Sequence, residues 1–144
     1  MLTLILSLQF IGGVLPSVPG YLNPAVTQAN IHQTICKSGW TATIRPPVSY
    51  TNKLKLEQME AGHLKGKPSD FELDHEVSLE LGGHPTDPRN LWPEPYKPEP
   101  GAREKDQVED FLHREVCAGR MPLRDAQQLI MSDWTKVVIK KGKK

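Results

Sequence analysis

The chain has 144 residues, 38% of them apolar, enough for one modest core in a single domain. Its formal charge of +1, from 18 basic and 17 acidic residues, argues against tight, site-specific DNA recognition, and no helix-turn-helix or other separate recognition module is visible. Two cysteines without a CxxC give no support to a zinc ribbon.

Residues 1–20 differ from everything after them. Positions 2–15 carry no charge and are mostly apolar, yet the run is broken by Gly12, Gly13 and Pro16. It is too short for a membrane span of about 20 residues and reads as a signal peptide. Val18-x-Gly20 offers a small-residue cleavage site before Tyr21. An uncleaved anchor and a buried structural segment are the alternatives. Cleavage leaves residues 21–144 as one domain, periplasmic or secreted, with no stable membrane association. In such a compartment Cys36 and Cys117 are expected to form a disulfide closing a long loop. Two buried free thiols are the rival reading.

Downstream, residues 25–35 suggest a short helix leading to Cys36. WTATI at 40–44 has the β-branched, aromatic composition of a strand, ended by Arg45-Pro46-Pro47. Thr51 is a plausible N-cap for a helix over 52–61, with Gly62 after it. Residues 71–92 read FELDHEVSLELGGHPTDPRNLW. FELDH and VSLEL are strand-like, Gly82-Gly83 is a turn signal, and Leu91-Trp92 returns to apolar character, so a hairpin with a long connection is expected. Trp92, following Leu91, reads as core, with a base-stacking platform as the alternative. Four prolines between 93 and 101 predict an extended strap. Residues 102–118 form a helix with Val108, Phe111, Leu112 and Val116 on one stripe and Gly119 as its stop. A second helix over 122–131 turns Leu123, Ala126 and Ile130 inward, with Pro122 in its first turn. The last nine residues carry five lysines, a basic tail that meets phosphates or is simply solvated.

The chemistry concentrates in two places. Asp74-His75 sets a carboxylate, which suits a hard metal ion, beside an imidazole, which suits a general base. On the helix over 102–118, Asp106, Glu109 and His113 fall within a sector about 60° wide beside the apolar stripe. Glu109 and His113, four residues apart, can reach one ion. Taken alone, each pattern is as well explained by a solvated face.

The combination resembles the HNH endonuclease family. LDHEVSLELGG followed by RNLWPEP is similar to the LDH…LGG…NLWP pattern of small exported HNH-type proteins. AVTQANIHQTIC, GWTATIRPPVSYTNKLK, REKDQVEDFLHREVCAGR, AQQLI and DW extend the likeness over roughly residues 23–135. The resemblance implies an α+β fold with a ββα-metal (HNH, or His-Me finger) core, a hairpin packed on a helix, with short helices at both ends. It makes Asp74 a metal ligand, His75 the general base and Asn90 the brace of the loop that carries the base. The remaining ligand departs from the family pattern, since the proline strap separates Asn90 from the helix. Glu109 or His113 is expected there, with Asp106 as rival. The implied cofactor is one divalent ion, Mg²⁺ first, with Mn²⁺, Ca²⁺, Ni²⁺ or Zn²⁺ as alternatives. The implied substrate is nucleic acid, DNA before RNA, cut with little sequence specificity. Arg89 and Arg103 flank the site in sequence, and each is either a clamp for the phosphodiester or a surface charge. His84 reads as a loop residue, and His32 and His63 as surface. The alternative is a secreted ββα-metal scaffold that binds nucleic acid or serves a structural role without turnover.

Overall fold

The computed structural model describes residues 16–139. The apolar part of the expected signal up to residue 15, and the terminal lysines from residue 140, lie outside them.

The chain is mixed α+β. Strands β1 (Phe71–His75) and β2 (Leu91–Pro95) pair antiparallel, with Phe71 opposite Pro95 and His75 opposite Leu91. Pro93 and Pro95 fit within a strand because a two-stranded ladder leaves each strand with a free edge. Residues 76–90 connect the strands through two 3-10 turns, Leu79–Leu81 and Pro88–Asn90. The expected glycine turn lies between them, and its two glycines serve different ends. Gly82 has φ +81°, which favours a residue without Cβ, whereas a Cβ on Gly83 would lie 1.7 Å from the Val77 carbonyl oxygen. Residues 20–23 run beside this loop: Asn23 N–H donates to the Gly82 carbonyl and His84 N–H to that of Tyr21.

Helices α1 (Trp40–Ile44) and α2 (Val48–Ala61) precede the hairpin, and α3 (Ala102–Cys117) and α4 (Leu123–Met131) follow it. α2 packs on both strands, where Gln58 Nε2 donates to the Leu91 carbonyl at 2.8 Å. α3 packs against β1 and the Leu79–Leu81 turn. Its predicted stripe, Val108, Phe111, Leu112 and Val116, is buried with Leu123, Ala126 and Ile130 of α4 and with Val77 and Leu81 of the connection. Each of these side chains larger than alanine contributes about 1.5–3 kcal/mol by leaving water. Trp92 is buried as expected.

Cys36 and Cys117 are joined in a disulfide with Cα atoms 5.6 Å apart. It ties the segment after the 3-10 turn Gln28–Gln33 to the last turn of α3. Closing a loop of 81 residues stabilises the fold by about 4–5 kcal/mol on the loop-entropy model. The disulfide is compatible with an extracellular location, and no described helix is long and apolar enough to cross a membrane.

Several local expectations are corrected. WTATI is helical, not extended. β-propensity measures fit to a pleated neighbour, and the only sheet among the described residues is β1–β2. Gly39, with φ +79°, turns the chain into this helix instead, and Trp40 packs on the core. VSLEL forms the loop and 3-10 turn after β1. The helix expected at 25–35 is the shorter 3-10 turn Gln28–Gln33. α2 begins at Val48 behind Pro47, so Thr51 lies inside the helix and returns its hydroxyl to the Val48 carbonyl. The first residues of the proline strap belong to β2.

Candidate active site

Antiparallel partners share a face, so the pairing of Glu72 with Glu94 sets both beside Asp74 on one side of the hairpin. α3 delivers Lys105, Asp106 and Glu109 to the same side. Lys105 is fully buried. Its Nζ donates to Asp74 Oδ2 at 2.7 Å, to Glu109 Oε1 at 2.6 Å and to the His75 carbonyl at 2.9 Å, with Glu94 Oε2 at 4.0 Å. Burial alone drives the amine toward neutrality. Asp74, then Glu109, Glu94 and Glu76, reverse this and hold the ammonium well above the ordinary lysine value. Burial also opposes ionisation of Asp74, but the Lys105 ammonium and the Glu94 carboxyl keep Asp74 below the usual range. Burial, and then the hydrogen bond and charge of Asp74, push the Glu94 carboxyl up to about 10. Burial raises Glu109 as well, against the pull of Lys105.

A cleft of about 370 Å³ opens over this cluster, lined by Glu72, Asp74, Asp106 and Glu109 together with His75, Ser78 and Arg45. Carboxylate oxygens of Glu72, Asp74 and Asp106 lie within 4.8 Å of one another. Burial, followed by the charges of Asp74 and Asp106, lifts Glu72 to about 7, and burial with Asp74 raises Asp106. Acids that resist ionising together form an all-oxygen donor set suited to a hard divalent cation.

His75 stands at the end of β1. Its Nε2 lies 2.9 Å from the Pro85 carbonyl oxygen. A carbonyl only accepts, so the ring proton sits on Nε2 and the lone pair on Nδ1. Burial holds the imidazole below the ordinary histidine value, which favours the neutral form. Asn90 is fully buried and braces the loop on which Pro85 sits. Its Oδ1 accepts from Val77 N–H at 3.0 Å and Tyr21 N–H at 3.1 Å, and its Nδ2 donates to the Val77 and His84 carbonyls at 3.0 and 2.9 Å.

The expected residues therefore divide. Asp74, His75, Asp106 and Glu109 line one cleft, with Asn90 beneath the loop beside it. His113 does not join them: its Nε2 lies 2.8 Å from the Ile35 carbonyl and its Nδ1 3.6 Å from Glu80, beside the disulfide. Arg89 is bound to Asp87 and stacks over Tyr21, and Arg103 stacks over Tyr96; neither lines the cleft. His84 lies on the loop, as expected, and accepts at Nδ1 from Asp87 N–H at 3.0 Å. His32 and His63 are exposed, as expected.

Sequence reasoning missed Glu72, Glu94, Lys105 and Arg45. A signal for two of them was present. Glu72 is two residues from Asp74 on a strand, hence on its face. Lys105 extends the inward stripe of Val108, Leu112 and Val116 by one turn, so a charge there marks a buried partner. No protein-family model matches the chain, and no curated protein or solved structure matches it either.

Proposed function

We propose that the protein is an exported HNH-type endonuclease that hydrolyses phosphodiester bonds of nucleic acid with little sequence specificity. The observation that carries this reading is the His75–Pro85 contact beside the Glu72, Asp74 and Asp106 carboxylates. Residues 71–117 follow the order of a ββα-metal core: a hairpin with a long connection, then a helix packed on its first strand. The sequence likeness to exported HNH proteins points the same way.

His75, neutral and held by Pro85, takes a proton from water at Nδ1. The hydroxide so formed attacks phosphorus, and the phosphorus–oxygen bond to the leaving group breaks. Glu72, Asp74 and Asp106 would hold one divalent ion, Mg²⁺ or Mn²⁺, which supplies neutralisation of the charge developing on the phosphoryl group and the leaving oxygen. Arg45, at the rim of the cleft, is suited to pair with the phosphate. Asn90 keeps the loop, and hence the imidazole, in register.

A second reading has its own observation. The Lys105 ammonium already lies between Asp74 and Glu109, so a non-catalytic scaffold needs no metal to neutralise that pair. A plasmid-nicking assay separates the two. The nuclease reading expects nicking with Mg²⁺ or Mn²⁺ that is abolished by chelator and by His75→Ala. A plasmid left intact by the wild-type protein under every divalent ion tried refutes it.

A further inference from the structure

We propose that Lys105 is a resident counter-cation that divides the acidic cluster in two. It claims Glu109 and the inner side of Asp74, and leaves Glu72, Asp74 and Asp106 on the cleft side to hold a single divalent ion. The inference rests on the metal-dependent reading above and deepens it: Glu109, held by Lys105, is a positioning residue and not a metal ligand.

The ammonium is fully used. Its three protons go to Asp74, Glu109 and the His75 carbonyl, at 2.6–2.9 Å. None is left for a substrate phosphate, and the side chain has no exposure through which to reach one. A second divalent ion between Asp74 and Glu109 would occupy the place of a positive charge that the fold cannot move away. Asp74 nevertheless retains capacity, since a carboxylate offers roughly four lone-pair sites and Lys105 takes one, on Oδ2. Ser78 gives an independent sign that the cleft side expects a ligand. It is buried, lines the same cleft, and its hydroxyl has no partner among the described residues. The same contacts give Lys105 an orienting role, because its hydrogen bond to Oδ2 fixes the rotation of Asp74.

Titration of the full chain with Mn²⁺, read by calorimetry and by the paramagnetic resonance signal of free ion, tests this without any nucleic acid. The expected stoichiometry is one ion per chain. Glu72→Gln and Asp106→Asn are each expected to weaken Mn²⁺ binding by more than about 100-fold, and Glu109→Gln by roughly tenfold, the low end of the loss for a residue outside the ligand set. Lys105→Gln, if it folds, is expected to melt at a temperature that rises with added Mn²⁺ more than wild type does and to bind a second ion. Two ions on the wild-type chain, no binding at all, or a loss on Glu109→Gln equal to that on Asp106→Asn would overturn the proposal. Should one ion bind in this pattern while plasmid stays intact, the nuclease reading fails and this one stands. If plasmid is nicked by a protein that binds two ions, the nuclease reading stands and this one fails.

Discussion

Asn90 and Val77 exchange two hydrogen bonds, side chain to backbone, as if the asparagine were a strand partner: Oδ1 accepts from Val77 N–H and Nδ2 donates to the Val77 carbonyl, both at 3.0 Å. The amide thereby closes the long connection between β1 and β2 from beneath. It does so where Gly83 approaches the same Val77 carbonyl too closely for any side chain. Replacing Asn90 with Ala would orphan two backbone groups of Val77 in a buried site and two more at its edge, at a cost of about 3–5 kcal/mol. Urea unfolding of Asn90→Ala measures it. A loss below about 1 kcal/mol, the scale of one ordinary hydrogen bond, would mean that the loop holds itself.

For His75, the expectation concerns rate and not folding. His75→Ala should lower kcat by a factor of about 10²–10⁴, the usual contribution of a general base, while leaving Mn²⁺ affinity nearly unchanged. Burial keeps the folded imidazole below its ordinary value of 6.5. Since the neutral form is the base, the wild-type rate should hold as pH falls through 6.5 and decline only below it. A pH–rate profile that breaks above 6.5 contradicts the assignment.

Glu76 gives a pH-dependent stability of defined sign. Burial lifts its carboxyl from 4.5 to about 7, with Lys105 opposing and Asp74 reinforcing. The folded state therefore holds the proton more tightly than the unfolded one. The stabilisation is fully present below pH 4.5 and is lost as pH rises through about 7. Glu76→Gln should behave like wild type near pH 4.5 and be more stable by about 2–3 kcal/mol above pH 7. Denaturant midpoints at the two pH values decide it.

The disulfide closes its loop at the far end of α3 from Lys105. Cys36→Ser with Cys117→Ser should therefore cost about 3–5 kcal/mol while the remaining core still orders the hairpin and α3. Near-ultraviolet circular dichroism below the lowered melting temperature should match wild type. A protein without tertiary signal at any temperature would mean that the disulfide is required for the fold itself.

Patterns contained within short stretches were legible from the residues alone. The stripe of Val108, Phe111, Leu112 and Val116 specified α3 because helical periodicity is local. Gly82-Gly83 announced the turn because a positive φ and a close backbone approach both exclude side chains. Two cysteines in a chain with a signal-like start announced their disulfide. Asp74, His75 and Asn90 stood out as a set only through likeness to a known family. What only the tertiary structure decided is which charges meet. Whether WTATI pairs as a strand depends on a neighbour that the segment cannot specify, and here it becomes α1. His113 and Glu109 share one edge of α3, yet they serve different surroundings one turn apart, the disulfide and the Lys105 cluster. Glu72, Glu94 and Lys105 are ordinary charged residues in the sequence. They form a centre because β-pairing aligns two acids on one face and the buried stripe of α3 carries an ammonium into them. Burial of Lys105 among these acids couples their charges, and this coupling exists only once the chain has folded.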